Sequence, residues 1–243
     1  GVSTPSDCNQ VIDDFVDSEC AKYPYREAVG CLMYLSVATR PDISFALGVA
    51  SCYMESPKTA HVIAVKRIFK YLKQTCQLGI RFSPAQDVEL HGFCDADYAG
   101  DRETRRSTSG YVFLFGGSVI SWSSERQKSV ALSTTESEYI AAANAVKELV
   151  WLKSLVQELT MKEIPTTLFM DNQSAIRLIK NPEFHKRTKH IDVRYHFIRE
   201  IYANKLFDLE YVSTDEQAAD IFTKPMSMGR FNNLRHMLNI LYK

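Results

Sequence analysis

The sequence predicts an α/β fold in which helices cover the faces of a mixed β-sheet. Two observations lead to this prediction. Between residues 88 and 123 apolar and polar side chains alternate as they do in strands, and Gly116-Gly117 marks a two-residue hairpin turn. From residue 133 onward, stretches of helical periodicity alternate with short strand-like stretches. The predicted element order from residue 88 is therefore β-β-β-α-β-α-α-β-α.

The composition is that of an ordinary globular protein. Of the 243 residues, 45% are hydrophobic and 24% are charged, and 29 basic residues balance 29 acidic ones. These values exclude disordered, collagen-like and fibrous proteins, and the zero net charge excludes a uniformly basic nucleic-acid coat protein. All six cysteines lie in the first 94 residues without a Cys-x-x-Cys pair, which favours free thiols. No apolar run approaches the roughly 18 residues of a membrane span, so no membrane partner is predicted.

The chain is predicted to have four parts. The first is a polar, acidic linker with little periodicity, the second is helical, the third holds the α/β pattern, and the last is a short helical tail. Their predicted bounds are residues 1–24, 25–82, 86–226 and 227–243, respectively.

Helical periodicity extends over residues 25–80. The first helix, Tyr25–Ala38, ends before Arg40-Pro41, a second runs to about Met54, and Ser56-Pro57 begins a third. The third helix has an apolar stripe on one side and lysines on the other.

Basic residues are concentrated on this third helix. Between Lys58 and Arg81 there are six basic residues and no acidic one. Two interpretations stay open: an ordinary solvated helix face, or a helix that lies along a phosphate backbone through Lys66, Lys70 and Lys73.

The α/β part begins with a strand over Val88–Asp95. Tyr111–Phe115 and Ser118–Ser123 flank the glycine turn as the two strands of a hairpin. Ser133-x-x-Glu136 is a capping box, in which a serine and a glutamate satisfy the first backbone N–H groups of a helix. The helix that it opens runs to about Leu159.

Two strands and three helices complete the pattern. The first four of these elements are a strand over Thr166–Met170, a helix over Ser174–Lys180, a helix over His190–Asn204 and a strand over Leu206–Val212. A second capping box, Ser213-x-x-Glu216, predicts a last helix that continues through Asp220 to Thr223.

Four carboxylates occupy the ends of these elements. Asp95 and Asp171 each end a strand, Glu138 lies in the first turns of the long helix, and Asp220 lies in the last helix. Because ligands gather beyond the carboxyl ends of parallel strands, we expect these groups to converge. Clustered carboxylates repel one another, and hard oxygen ligands favour Mg²⁺ or Mn²⁺. Two such ions about 4 Å apart are suited to phosphodiester hydrolysis.

Eight motifs, in order and spacing, closely resemble the C-terminal part of copia-type retrotransposon Pol, which comprises the end of reverse transcriptase followed by ribonuclease H. The resemblance extends from about Thr4 to Leu241. The motifs are Tyr25-Arg-Glu-Ala-Val-Gly, Ala38-Thr-Arg-Pro-Asp-Ile, Cys94-Asp-Ala-Asp-Tyr-Ala-Gly-Asp, Arg106-Ser-Thr-Ser-Gly-Tyr, Ser133-Thr-Thr-Glu-Ser-Glu-Tyr, Met170-Asp-Asn-Gln-Ser-Ala, Lys189-His-Ile-Asp and Ala219-Asp-Ile-Phe-Thr-Lys-Pro.

This resemblance implies a ribonuclease H-like five-stranded mixed sheet, preceded by a helical segment similar to the reverse transcriptase thumb. It also implies Mg²⁺-dependent hydrolysis of the RNA strand of RNA–DNA hybrids, with Mn²⁺ as the alternative ion. Asp95, Asp171 and Asp220 match the family's catalytic, metal-binding aspartates. Cellular relatives carry a histidine before the last helix, whereas residues 213–219 contain none.

The resemblance also implies a catalytic glutamate on the long helix, and this residue is either Glu136 or Glu138. Two positions on a helix are about 200° apart, so only one of them faces the sheet edge. Glu136 already belongs to the capping box. Glu138 shares a helix face with apolar residues that are expected to pack on the sheet, which favours Glu138 as catalytic residue and metal ligand. Those residues are Ala142, Ala145, Leu149, Leu152 and Val156.

Positive charge marks a predicted track for the hybrid. Residues 177–205 carry an excess of five positive charges, and arginines follow the first strand closely. Contacts from these groups to phosphates would position a hybrid without reading its sequence. A solvated helix is the other interpretation of the basic segment 177–205. The predicted nucleic-acid-binding residues are Arg105, Arg106, Lys66, Lys70, Lys73, Lys186, Arg187, Lys189, His190 and Arg194.

Two functions follow from the sequence. The first is an intracellular endonuclease, in a cytoplasmic particle or the nucleus, whose partners are the hybrid and the upstream remainder of Pol. Polymerase fingers and palm are absent, so DNA synthesis by this chain alone is not expected. The second is a non-catalytic module derived from copia, such as a secreted pathogen effector whose leader preceded Gly1. The intact carboxylates favour the endonuclease.

Overall fold

The computed structural model describes residues 1–7, 22–82, 88–181 and 189–242, with the backbone alone over 189–195. Most of the predicted acidic linker lies outside these ranges. The chain forms two compact units. The helical unit consists of residues 1–81 and 224–243, and the sheet unit consists of residues 82–223.

Three helices form most of the helical unit. They are α1 (Tyr25–Ala38), α2 (Ser44–Ser51) and α3 (Thr59–Gln74), and a 3₁₀ turn over Pro41–Ile43 separates the first two. The second helix is shorter than predicted, because its backbone hydrogen bonds stop at a C-cap on Cys52.

A two-stranded sheet completes the helical unit. Strand β1 (Leu78–Ile80) pairs antiparallel with β7 (Ile240–Tyr242), and helix α7 (Met228–Met237) precedes β7. The sequence predicts helix through residue 80 and a helical tail over 227–243, so both strands differ from that expectation. Strands of three residues are too short to show a period, and each depends on a partner at the other end of the chain.

A buried polar network joins the helices of this unit. Asp42, 2% exposed, accepts two hydrogen bonds from the Arg40 guanidinium, at 2.9 and 2.8 Å, and another from the Tyr71 hydroxyl. Arg40 also donates to the carbonyl and hydroxyl of Thr75, and Arg235 on α7 donates to Tyr71 Oη at 3.4 Å. Burial and the nearby Asp42 carboxylate raise the pKa of Tyr71. The network therefore ties α7 to α3 and to the 3₁₀ turn.

The sheet unit contains five strands in the order β4-β3-β2-β5-β6. β2 pairs antiparallel with β3, and β3 with β4, whereas β2–β5 and β5–β6 are parallel. This mixed sheet confirms the predicted ribonuclease H-like fold class. The strands are β2 (Leu90–Asp97), β3 (Thr108–Phe115), β4 (Ser118–Arg126), β5 (Thr166–Met170) and β6 (Asp208–Tyr211).

The hairpin between β3 and β4 has the predicted turn. Gly116 and Gly117 have φ angles of 56° and 76°, a left-handed backbone that glycine adopts without strain. Both strands are longer than predicted. The sequence pattern did not show the full length of β4, because polar residues line this half-buried strand and the alternation of apolar and polar residues fades there.

Helix α4 (Thr134–Thr160) packs on β2 and β3. The Ser133 hydroxyl accepts a hydrogen bond from the Glu136 N–H, as the capping box predicts. The five apolar residues expected to face the sheet all belong to the buried core. Helices α5 (Gln173–Lys180) and α6 (Lys189–Ala203) follow β5, and both pack against α4.

The last predicted helix is two 3₁₀ turns instead, Thr214–Glu216 and Ala218–Phe222. The second capping box is also wrong, because the Ser213 hydroxyl bonds the Glu216 side chain and makes no bond to a backbone N–H. Gln217 is extended at φ −71° and ψ 96°, and this interrupts the helix. Its side chain donates to the Cys94 carbonyl and accepts from Ala219 N–H, so it begins the second turn against β2.

Within the described ranges, no helix combines the length and the apolar character that a membrane crossing requires.

Candidate metal centre

Two parallel strands place Asp95 and Asp171 side by side. The last parallel pair of β2 and β5 is Phe93 with Phe169, whose rings stack with centroids 5.0 Å apart. Asp95 and Asp171 each lie two residues beyond this pair. The same register that packs the two rings therefore brings both carboxylates to one end of the sheet.

Glu138 reaches this end of the sheet from α4. One carboxylate oxygen from each of Asp95, Glu138 and Asp171 lies within 4.8 Å of the other two. Asp95 is 2% exposed and Glu138 is 6% exposed, whereas Asp171 is half-buried. The cluster is therefore open to solvent mainly on the Asp171 side.

The thiol of Cys94 lies in the field of these carboxylates. It is fully buried, and burial together with the charges of Glu138, Asp95 and Asp171 raises its pKa well above the ordinary value. Cys94 is consequently a neutral thiol and adds no further negative charge beside the three acids.

Two threonines hold the aspartates in place. The Thr223 hydroxyl donates to Asp95 Oδ2, and the Thr214 hydroxyl donates to Asp171 Oδ2 at 3.0 Å. Sequence reasoning missed both residues. Thr223 lies three residues after Asp220 in the last of the eight motifs, so the sequence offered a reason to consider it. Nothing in the sequence singles out Thr214.

Asp220 lies on the second 3₁₀ turn, which packs on β2 and β3. It is fully buried, and its carbonyl accepts a hydrogen bond from the N–H of Thr223, the residue that bonds Asp95. Gly110 permits this approach, since a Cβ there would lie 2.7 Å from a Thr223 side-chain atom. Asp220 is outside the group of three, so the structure brings together three of the four predicted carboxylates.

Glu136 is buried as well, but it has a different partner. Its carboxylate accepts a hydrogen bond from the Leu132 N–H at 2.9 Å. Glu136 therefore stabilises the start of α4, and Glu138 is the helix glutamate within the cluster.

The donor set fits a divalent cation. Three carboxylates this close together repel one another, and a divalent ion removes that repulsion. Carboxylate oxygens are ligands that suit hard divalent ions. Asp95, Glu138 and Asp171 are the residues that could hold such an ion.

Comparison with known sequences shows which family this arrangement belongs to. A retrovirus-related Pol polyprotein from transposon TNT 1-94 of Nicotiana tabacum is 46% identical over 220 residues, which cover 90% of this chain and 16% of that protein. Pol polyproteins from transposons RE1 and RE2 of Arabidopsis thaliana are 42% identical over 89% of the chain. Over 89–90% of its length the chain is homologous to these Pol polyproteins of copia-type retrotransposons. It spans about one sixth of the length of these relatives.

Other similarities cover part of this copia-type chain. A secreted RxLR effector protein 161 of Plasmopara viticola is 50% identical over 53% of the chain and 91% of its own length. The crystal structure of RNase H1 from Halobacterium salinarum NRC-1 aligns with 56% of the chain and 94% of its own, at 14% identity and a TM-score of 0.41. No protein-family model matches the chain.

The arginines predicted to contact nucleic acid in this copia-type chain lie on a fixed loop between β2 and β3. The Asp101 carboxylate accepts hydrogen bonds from Arg126 at 2.7 Å and from the Thr104 hydroxyl at 2.8 Å. Although burial opposes ionisation, these bonds hold the pKa of Asp101 below its ordinary value. The Asp101 backbone also bonds that of Arg105 and Arg106. Arg105 is exposed and Arg106 half-exposed, at the sheet end that carries the cluster.

The other predicted cations are distributed differently. Lys66, Lys70 and Lys73 are exposed on α3 of the helical unit. Lys189, His190 and Arg194 lie on α6, of which the backbone alone is described there, and Lys186 and Arg187 lie outside the described residues. From the same basic run, Arg199 donates to the Leu178 carbonyl, so this residue secures the end of α5.

Proposed function

We propose that this chain is the ribonuclease H part of a copia-type Pol polyprotein and hydrolyses the RNA strand of RNA–DNA hybrids. The observation that carries the proposal is the convergence of Asp95, Glu138 and Asp171 at one end of the sheet, with one oxygen of each within 4.8 Å of the others. Homology to retrotransposon Pol polyproteins supports the substrate, since an element copied through reverse transcription produces such hybrids.

In this proposal the cluster, joined by Asp220, holds two Mg²⁺ ions, for which Mn²⁺ can substitute. When bound, such ions supply an activated water and neutralise charge on the leaving oxygen. The protein's own contribution is positioning. Thr223 and Thr214 fix the Asp95 and Asp171 carboxylates before substrate arrives, which lowers the cost of organising the site.

The loop between β2 and β3, which carries Arg105 and Arg106, would position the substrate. Arg105 and Arg106 lie at the same sheet end as the cluster, and Asp101 limits the movement of their backbone. Contacts from these arginines to phosphates would set the register of the hybrid without reading its sequence. The shape of the hybrid and its 2′-hydroxyl groups would provide selectivity over duplex DNA.

The test is cleavage of a labelled RNA–DNA hybrid by the purified chain, beside duplex DNA and single-stranded RNA. With Mg²⁺ we expect cuts in the RNA of the hybrid alone, leaving 5′-phosphate and 3′-hydroxyl ends. EDTA should abolish cleavage, and added Mg²⁺ should restore it, because the acidic cluster is the proposed binding site for the ions.

A folded chain that binds the hybrid but leaves it intact in Mg²⁺ and in Mn²⁺ would contradict the endonuclease. The non-catalytic module would then be the better account, and the similarity to the secreted RxLR effector protein 161 is the observation that favours it. Circular dichroism confirms folding, so loss of structure is not confused with lack of activity.

Glu138 and Glu136 provide a matched pair for the ion site. Glu138→Gln removes a charge from the cluster and should weaken Mn²⁺ binding about tenfold or more, by comparison with the ~10–100-fold losses from outer-shell changes. Glu136→Gln keeps an oxygen that can accept from the Leu132 N–H and should leave Mn²⁺ affinity unchanged. Calorimetric titration measures both. Equal losses of Mn²⁺ affinity in the two variants would contradict the assignment of Glu138 as the metal ligand. A loss confined to Glu136→Gln would assign Glu136 instead.

A further inference from the structure

A buried glutamine outside the acidic cluster joins the β3–β4 hairpin to the start of α4. Gln127 directly follows β4 and is 4% exposed. Its side-chain nitrogen Nε2 donates two hydrogen bonds, one to the backbone carbonyl of Ser137 at 2.9 Å and one to the hydroxyl of Ser109 at 2.8 Å. Both serines are buried, so water does not compete for these bonds. The glutamine therefore ties the first turns of α4 to β3.

Each partner of this glutamine is next to a residue of the acidic cluster. Ser137 immediately precedes Glu138 on α4. Ser109 lies on β3 opposite the residue of β2 that follows Asp95. One amide group thus connects the helix that carries Glu138 with the strands beside Asp95, and oxygens of these two carboxylates lie within 4.8 Å of each other.

The oxygen of the same amide indicates why a glutamine occupies this position. Among the described residues, Gln127 Oε1 has no hydrogen-bond partner, although it is buried. The orientation of the amide is fixed, since the Ser137 carbonyl can only accept and must face the nitrogen. A buried acceptor without a partner costs free energy, which an apolar side chain of the same length would avoid. Packing therefore does not account for a glutamine here, whereas its two donated bonds do.

The backbone of Gln127 is held separately from its side chain. Its N–H donates to the Ser107 carbonyl at 2.8 Å. Ser107 follows Arg106, and its hydroxyl accepts from the N–H of Ala99, so these bonds secure the end of the loop that carries the arginines. A change of the glutamine side chain leaves the backbone bond available. The contributions of the side chain and of the loop can thus be measured independently.

We propose that Gln127 is a positioning residue, which holds the start of α4 so that the Glu138 carboxylate meets the Asp95 carboxylate in a geometry that accepts a divalent ion. Without the two donated bonds the start of α4 samples more positions, and ion binding must then overcome the cost of returning Glu138 to the cluster. The importance of Gln127 for catalysis rests on the proposed function, whereas its effect on ion binding does not.

Calorimetric titration of the full chain with Mn²⁺ tests this role. Gln127→Met keeps the length of the side chain and removes both donors. We expect the Kd for Mn²⁺ to rise about tenfold, at the lower end of the ~10–100-fold losses from changes to groups that orient metal ligands. The Ser137 carbonyl keeps its hydrogen bond from the helix N–H four residues further on, so the variant should fold.

Two further measurements separate positioning of the ligand from binding of the substrate. Fluorescence anisotropy with an RNA–DNA hybrid in EDTA should give the wild-type Kd for Gln127→Met, because the backbone bond to Ser107 and the exposed arginines are unchanged. The Mg²⁺ concentration for half-maximal cleavage should rise together with the Kd for Mn²⁺. The rate at saturating Mg²⁺ should approach that of the wild type, since a bound ion holds Glu138 in place.

Two variants on the same helix contacts are matched controls. Ser121→Ala removes another hydrogen bond between the hairpin and α4, from the Ser121 hydroxyl to Glu148 Oε1 at 2.7 Å, about 15 Å along the helix from Glu138. Val156→Ala truncates a buried residue about 27 Å from Glu138 along α4, and it should lower the melting temperature at least as much as Gln127→Met. Both controls should bind Mn²⁺ with wild-type affinity, and far-ultraviolet circular dichroism shows that each variant is folded.

An unchanged Kd for Mn²⁺ in Gln127→Met would overturn the proposal. So would an equal loss of affinity in Val156→Ala, because general destabilisation would then explain both losses. If the wild type cleaves the hybrid and Gln127→Met equals it in Mn²⁺ affinity, the positioning role fails and the endonuclease stands. If Gln127→Met binds Mn²⁺ more weakly than a wild type that leaves the hybrid intact, the endonuclease fails and the positioning role stands.

Discussion

Asp171→Asn is expected to reduce hybrid cleavage by at least about 100-fold, because loss of an outer partner of a metal ligand alone costs roughly 10–100-fold. Asparagine keeps the shape of the side chain and its hydrogen bond from Thr214, and it removes the negative charge from the open side of the cluster. The variant should therefore fold normally and fail at the chemical step.

Binding of the hybrid should survive this change. The proposed phosphate contacts come from cations such as Arg105 and Arg106, and one less carboxylate lowers the repulsion of phosphates. Fluorescence anisotropy should give a Kd equal to or below that of the wild type, with parallel weakening of both proteins as salt rises.

Asp208→Asn is the matched control for Asp171→Asn. Asp208 begins β6, at the opposite end of the parallel strands from the cluster, and it is exposed. Single-turnover cleavage by Asp208→Asn should equal that of the wild type. Cleavage by Asp171→Asn within tenfold of the wild-type rate would remove this residue from the proposed site.

Asp42→Asn is expected to destabilise the helical unit by about 3–5 kcal/mol, the usual cost of breaking a buried ion pair. Asparagine leaves the buried Arg40 guanidinium without its counter-charge and removes an acceptor from the Arg40–Asp42–Tyr71 network. Hydrogen exchange of the α3 amides, converted to a free energy of opening, measures the effect where it should occur.

Asp7→Asn provides the comparison within the same unit. Asp7 also pairs with an arginine, Arg67, at 3.2 Å, but its side chain is 43% exposed. Surface ion pairs contribute about 0–1 kcal/mol, so this variant should exchange like the wild type. If both substitutions lowered the free energy of opening by similar amounts, burial of the Asp42–Arg40 pair would not determine its contribution to stability.

Local signals made much of the sheet unit predictable. The glycine turn and the serine cap of α4 are each encoded within a few adjacent residues, and the buried face of that helix, from Ala142 to Val156, follows from helical spacing alone. The structure differs from the prediction where the conformation of a segment depends on a partner that is distant in the sequence. Leu78–Ile80 is a strand only because Ile240–Tyr242 pairs with it, and neither segment has a period of its own.

The candidate site shows the same division. Asp95, Glu138 and Asp171 could be proposed because each has a defined place relative to a strand or helix end. Thr214 could not, since its importance lies in one hydrogen bond to Asp171, which follows β5 and is remote in sequence. The interruption at Gln217 was likewise hidden, because its side chain bonds a carbonyl on β2 that is remote in sequence.

The division of the chain into units also sets an order of folding during synthesis. The helices of residues 25–74 are translated before the sheet unit, yet β7, α7 and Arg235, which complete their unit, are translated after it. The sheet unit, by contrast, is contiguous from 82 to 223 and has all its strands once β6 and the 3₁₀ turns have emerged. Domains that fold as units during translation do so when their last element is available. We therefore expect the sheet unit, with its acidic cluster, to complete its fold before the helical unit does.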